Sequence, residues 1–230
     1  MHPSAKIFKY ADNMAIVGLL NFKDPDTSFP FFDAVQTFVE QCDSVNLLIN
    51  STKTKEMVVN FSRTCGIYDY IFIKENPIER VGTFKYLGTF FDDNLKWQSN
   101  TSYIYGKLKQ RFYAFSRFSH FKPNRAQKDY FIQSLIKPVL TFNFELWFNS
   151  ATNKQKEKLK KPFKQRNYDL DINFYLEKCV SKTAMNFITD PTHILHSCYE
   201  INRNHYRMPR TRTNRFLDSF IPFSIHVLNN

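Results

Sequence analysis

Asp12 and Asn13 stand at the bend between two short apolar runs, residues 7–10 and 14–20. Asp and Asn tolerate turn geometry, so the runs read as strands joined by a tight turn over residues 11–13. A hairpin tip that carries oxygen donors side by side is a compact way to present ligands to a divalent ion, and hard oxygens suit Mg²⁺. Transfer chemistry on phosphates with two ions needs enough carboxylates to hold both ions about 4 Å apart. Here the pair is one carboxylate and one neutral amide. Asp92 and Asp93 are the nearest alternative acidic pair and read as a turn. Lys53 and Lys55 lie in a polar stretch that by itself reads as a solvated turn. His193, His196 and Cys198 cluster without a well-spaced fourth ligand and read as ordinary surface and core residues. Cys42, Cys65, Cys179 and Cys198 contain no C-x-x-C pair, which argues against a disulfide framework or a zinc ribbon.

The elements that must position these residues follow from periodicity. After a loop over residues 21–30, with Thr27 or Ser28 available as a cap and Pro30 in the first turn, Phe31, Val35, Phe38, Val39, Cys42 and Val45 recur at helical spacing. Residues 47–49 and 57–61 read as strands around a polar turn at 51–56, and residues 71–73 and 83–87 as two more, the last meeting Gly88. Beyond Trp97 the pattern turns helical. Ile104, Leu108, Phe112, Phe115 and Phe118 mark one helix; a second spans about 125–148, with Pro138 kinking or breaking it. Residues 154–166 are basic, polar nearly all round and interrupted by Pro162; they read as a solvated helix face. Ile172, Tyr175, Leu176, Cys179 and Val180 suggest a further short helix. The segment 203–215 holds five arginines and no acid. It is the best electrostatic candidate for a nucleic-acid contact, and equally reads as a flexible basic tail.

Composition bounds the rest. The 230 residues suffice for one or two domains with a real core, and 43% apolar content argues against wholesale disorder. With 25 Phe and 12 Tyr, much of the aromatic content must be interior. A formal net charge of +11 favours a polyanionic partner, most commonly nucleic acid. No apolar run approaches the roughly 18–20 residues of a membrane span, and the amino terminus lacks an apolar signal core, so an intracellular protein is expected, cytoplasmic or nuclear, with no membrane partner.

Several segments resemble, in order, the reverse transcriptases of non-LTR (LINE-type) retrotransposons. Residues 8–18, FKYADNMAIVG, resemble the Tyr-x-Asp-Asp hairpin of the polymerase palm in its KYADDMAIVG form. Residues 47–61, LLINSTKTKEMVVNF, are similar to the family's LN-x-x-KTKEMVVDF stretch. Phe84-Lys85-Tyr86-Leu87-Gly88, followed by Asp92-Asp93-Asn94-Leu95-Lys96-Trp97, looks like the primer-grip region FKYLG…DDxLxW. Residues 105–118, 140–149 and 206–228 resemble later segments, the last opening on the family's YRxPRxRTNR pattern. The resemblance implies an α+β fold: a partial palm of short antiparallel strands plus helix over 1–95, a helical thumb-like region over 96–200 and a basic carboxy-terminal tail over 201–230. It implies Asp12 as the principal Mg²⁺ ligand, Tyr10 beside an RNA–DNA template–primer, and Lys53 or Lys55 assisting pyrophosphate departure. It also implies Phe84, Lys85, Tyr86, Leu87 and Gly88 as the grip on the primer end; charge, rather than the resemblance, makes Arg207, Arg210, Arg212 and Arg215 candidates for a nucleic-acid contact.

The departures from the family matter as much. Asn13 replaces a second aspartate and removes one negative charge from the metal site. The hairpin also lies within the first dozen residues, so the expectation is a truncated, degenerate remnant in which a single Asp12 leaves the site incomplete. Two rivals remain: a domesticated RNA- or DNA-binding protein, and a relative of the AlkB homologue 8 family, whose amino-terminal segment the helices after Trp97 also resemble. The second rival lacks chemistry here. No His begins a His-x-Asp pair, and five glycines include no Gly-x-Gly-x-Gly loop for S-adenosylmethionine.

Overall fold

A computed structural model describes residues 5–20, 29–61, 70–166, 168 and 171–230. The chain is mixed α/β, with helices and small, mostly antiparallel two-stranded sheets. It divides into two compact units, Met1–Leu95 and Lys96–Asn230.

In the first unit, strands β1 (Ala5–Tyr10) and β2 (Asn13–Gly18) form an antiparallel hairpin. Tyr10 pairs with Asn13, so the turn is Ala11-Asp12 alone and Asn13 belongs to the ladder. The tight turn expected over three residues is thus one residue shorter, closed by Ala11 at φ 52°. Helix α1 (Phe29–Ser44) follows, and its expected caps, Thr27 and Ser28, lie outside the described residues. Phe31, Val35, Val39 and Cys42 are buried at the anticipated spacing. Val45, by contrast, lies past the helix end and is exposed. The first half of α1 packs on Ala5, with Ile16 and Leu20 against it. The second half packs through Val39 on Ile73 and Ile78. Gly18 makes the close approach possible, because a Cβ there would sit 2.1 Å from the Phe31 ring.

The middle of this unit departs from expectation. Residues 47–49 and 57–61 form no strand; the strand is β3 (Lys55–Glu56), inside the stretch read as a turn. Next come β4 (Phe72–Ile73) and β5 (Asn76–Pro77), an antiparallel hairpin. Strand β6 (Glu79–Arg80) then pairs with β3 in parallel, where only antiparallel pairing was anticipated. Charge is what holds this short pair. The Arg80 guanidinium donates to both oxygens of the buried Glu56 carboxylate, at 3.2 and 3.1 Å, and Lys55 Nζ lies 2.6 Å from Glu79. Strands β7 (Thr83–Tyr86) and β8 (Thr89–Asp92) close the unit as a hairpin whose turn residues, Leu87 and Gly88, have φ of 45° and 89°. Two positive φ values are what the right-handed twist of the flanking strands asks of a two-residue turn.

The second unit is helical, as its periodicity demands. Helix α2 (Gln98–Ser119) buries Ile104, Leu108 and Phe112. Helix α3 (Arg125–Phe131), capped by Asn124, runs through a π turn at Ile132–Ile136 into α4 (Lys137–Thr141). The π turn stands directly before Pro138, whose missing N–H would break regular α pairing. The helix expected to reach 148 ends at Thr141, and α5 (Phe144–Trp147) starts after Asn143 at φ 48°. Its Phe144, Trp147 and Phe148 are buried in mutual contact, with ring centroids 4.3–5.7 Å apart.

Helix α6 (Asn153–Lys164) is not polar all round. Leu159, Pro162 and Phe163 are buried, and the Phe163 ring meets Phe112 of α2 edge-on at 4.9 Å. Pro162 bends no chain end here; the helix continues to Lys164. Helix α7 (Ile172–Thr189), longer than anticipated, buries Ile172, Leu176, Val180 and Ala184. After a single 3₁₀ turn at His196–Cys198, β9 (Ile201–Asn202) and β10 (His205–Tyr206) form a small hairpin. The short α8 (Asn214–Leu217) and α9 (Phe220–Asn229) finish the chain. Ile225 of α9 is fully buried with Ala184 and Tyr199, and Asn229 exchanges two hydrogen bonds with the Tyr206 backbone. Helix α9, within the stretch read as a tail, therefore belongs to the core of its unit. No helix among the described residues is long and apolar enough to cross a membrane.

Candidate functional site

Most residues singled out by chemistry lie on three separate two-stranded sheets of the first unit or in one segment of the second; Lys53 lies on a turn. Asp12 sits at the tip of the first hairpin, and Asn13 Nδ2 donates to its Oδ1 at 3.1 Å. The amide nitrogen thus faces the carboxylate, an arrangement of hydrogen-bond partners rather than of two ligands to one ion. One face of this hairpin packs on α1; the other carries exposed Phe8, Tyr10 and Val17, with Tyr10 at 66%.

Among the described residues no group of three or more His, Cys, Asp or Glu side chains is placed to hold a metal ion. At the hairpin tip the donor set is one carboxylate with an amide already bonded to it. That set does not fit the paired Mg²⁺ ions of nucleotidyl transfer, which need several carboxylates, so no reaction step is routed through it. Asp92 is no substitute. It is buried, and its Oδ1 accepts from Thr83 Oγ1 at 3.1 Å across the β7–β8 ladder, a structural bond at the end of the hairpin.

Lys53 and Lys55 separate into different roles. Lys53 lies on an exposed turn shaped by Asn50, whose side-chain oxygen accepts from Lys53 N–H at 3.1 Å and from the Thr52 hydroxyl at 2.7 Å. Lys55 is engaged with Glu79 in the β3–β6 pair. The segment Phe84–Gly88 forms one strand and the tip of the β7–β8 hairpin: Phe84 pairs with Phe91, Lys85 with Phe90 and Tyr86 with Thr89. At the tip, Leu87 is a large apolar side chain, 40% exposed, held in the left-handed region. Ala11, Lys74 and Arg203, at the tips of the other hairpins, share the feature, which is the backbone geometry a two-residue hairpin turn requires.

The arginines of the second unit divide as well. Arg203, with Asn204, makes the β9–β10 turn at φ 50° and 68°. Arg207 lies 3.4 Å from Glu200. Arg210 and Arg212 are exposed on an irregular strap between β10 and α8, and Arg215 is exposed on α8. The strap is anchored at both ends: by Asn229 at Tyr206, and by the Asp218 carbonyl, which accepts from Asn149 and Ser150. His193 stacks on Phe187 at 4.1 Å and accepts from Leu195 N–H, while His196 contacts the Phe187 carbonyl at 3.2 Å, so both serve the packing of this corner.

One feature escaped the sequence reading. Tyr105 of α2 and Lys154, Lys158, Lys161 and Lys164 of α6 line an open depression of about 470 Å³. Lys109 of α2 and Lys158 of α6 both lie against the Tyr105 ring, with Nζ 5.3 and 4.8 Å from its centroid. The signal was present in the i, i+4, i+7 spacing of Lys154, Lys158 and Lys161, opposite Leu159 and Phe163, which together make α6 amphipathic.

No protein-family model, no curated protein and no solved structure matches the chain.

Proposed function

We propose that the chain derives from the carboxy-terminal part of a non-LTR retrotransposon reverse transcriptase and binds nucleic acid without carrying out nucleotidyl transfer by itself. The observation that carries this reading is the ordered run of segments from KYADN through FKYLG to YRMPRTRTNR. One local feature is compatible with it: both hairpin segments of the resemblance lie on antiparallel hairpins with two-residue turns. The loss of catalysis is argued from the donor set, since Asn13 bonds Asp12 instead of adding a second carboxylate.

A second reading, an RNA- or DNA-binding protein adapted from such an element, draws on the anchored arginine strap, which holds Arg210 and Arg212 exposed on a fixed support. The two readings separate on Arg207, Arg210, Arg212 and Arg215. An adapted binding protein loses salt-dependent affinity selectively when these four are neutralised, whereas a decayed element shows no such selectivity. Purified protein with a labelled RNA–DNA hybrid, Mg²⁺ and nucleotides tests the shared claim: binding without primer extension is expected, and extension overturns it.

A further inference from the structure

The chain's charge is unevenly placed. Helices α2 and α6 carry ten of its 32 Lys and Arg but one of its 21 acids, so the other residues are close to neutral. The two helices pack together through Phe112 and Phe163, which concentrates the excess on one helix pair. The single acid, Glu157, is engaged by Lys164 at 2.9 Å and Lys160 at 3.7 Å. Lys156 turns away, donating to the Asn149 carbonyl at 2.7 Å. Lys154, Lys158 and Lys161 are exposed, and among the described residues no carboxylate pairs with them. They recur on one stripe of α6 along the depression, which Tyr105, Lys164 and the lysine-paired Glu157 also line.

We infer that this lysine-lined groove between α2 and α6 is a sequence-independent binding surface for the phosphodiester backbone of single-stranded nucleic acid. A row of ammonium groups beside an aromatic ring, open along its length, suits a linear polyanion. An anionic membrane fits less well. A helix that lies in a bilayer interface turns an apolar face to lipid, and here Leu159 and Phe163 are consumed by packing on α2. The groove is distinct from the arginine strap. The inference shares with the proposed function only the expectation of a nucleic-acid partner, and it does not depend on polymerase ancestry.

The test is a fluorescence titration of the full chain with a labelled mixed-sequence oligonucleotide of about 20 nucleotides, longer than one typical single-strand site, across several salt concentrations. Three variants run beside it: Lys154→Gln/Lys158→Gln/Lys161→Gln, the corresponding triple Lys→Arg, and Arg207→Gln/Arg210→Gln/Arg212→Gln/Arg215→Gln. Circular dichroism melts establish that each is folded. The expected result is that the Lys→Gln triple weakens binding at low salt by more than about tenfold and flattens the plot of log K against log salt by about 2, while the Lys→Arg triple binds as the native chain does. An unchanged Lys→Gln triple overturns the inference, and if the arginine variant alone fails, the proposed function survives it. Anionic phospholipid vesicles bound in preference to the oligonucleotide would also overturn it. No oligonucleotide binding by the native chain overturns the inference, and the proposed function is then decided by the RNA–DNA hybrid.

Discussion

Gly18 and Tyr199 show how much single atoms decide in this chain. Adding a methyl group at Gly18 places it within 2.1–2.9 Å of three Phe31 ring atoms, so α1 or its ring must shift. Gly18→Ala is expected to destabilise the first unit by about 1–3 kcal/mol, as overpacked cores do, read as a lower urea midpoint. Nothing in the run AIVG announces this, because the contact is with a residue on the next element. Tyr199 is 6% exposed, and its hydroxyl meets Ser224 Oγ at 2.8 Å. Tyr199→Phe leaves the serine without that partner at a cost of about 1 kcal/mol. Burial pushes the Tyr199 phenol above its ordinary value, with the Ser224 bond pulling the other way less strongly. The stability tied to the neutral phenol is therefore present below the unfolded-state value, about 10, and lost as pH rises beyond it. Native protein should lose more stability than Tyr199→Phe between about pH 9.5 and 11, in thermal melts at stepped pH; parallel curves would contradict this. Asp12 was legible as a hairpin-tip residue, whereas its bond to Asn13 depended on a register that sequence alone set one residue too long.

At the scale of elements, the β3–β6 pair is the clearest case of structure held by charge. Glu56 is nearly buried and receives both Arg80 bonds, while Lys55 meets a well-exposed Glu79. Arg80→Met strands a buried carboxylate and is expected to cost about 2 kcal/mol, below the 3–5 kcal/mol of a fully buried pair because Arg80 itself is partly exposed. Lys55→Met is expected to cost under about 1 kcal/mol. Urea unfolding of the two variants measures the contrast, and equal costs would refute the assignment. This pairing was illegible in advance because the apolar runs at 47–49 and 57–61 outweighed the short charged stretch between them. Its partner strand also lies 24 residues further along the chain. Hairpins with local turns fared better: residues 83–87 and their glycine gave β7 and its tip, since Gly88 supplies the positive φ such a turn requires. Helix α6 was misread because counting lysines obscured the Leu159 and Phe163 that bury its other face.

For the whole molecule, the division into two units places three of the four hairpins among the described residues, with Asp12, in the first unit, and most of the helices and of the positive charge in the second. Helical periodicity made α2 and α7 legible, because buried residues every three or four positions leave a mark that needs no knowledge of the partner. The carboxy-terminal helix was not legible in the same way. Its residues carry no helical signal of their own strong enough to place it, and Ile225 is buried only once Ala184 of α7 and Tyr199 surround it. The candidate site was readable as a set of residue types; the sheets on which they sit, and the groove between α2 and α6, were not. The most direct test of the account is a primer-extension and binding experiment on one sample: purified full chain, a labelled RNA–DNA hybrid, Mg²⁺ and nucleotides, at low and high salt. The account predicts binding that weakens steeply with salt and no extended product. Extension of the primer, or no binding even at low salt, would contradict it.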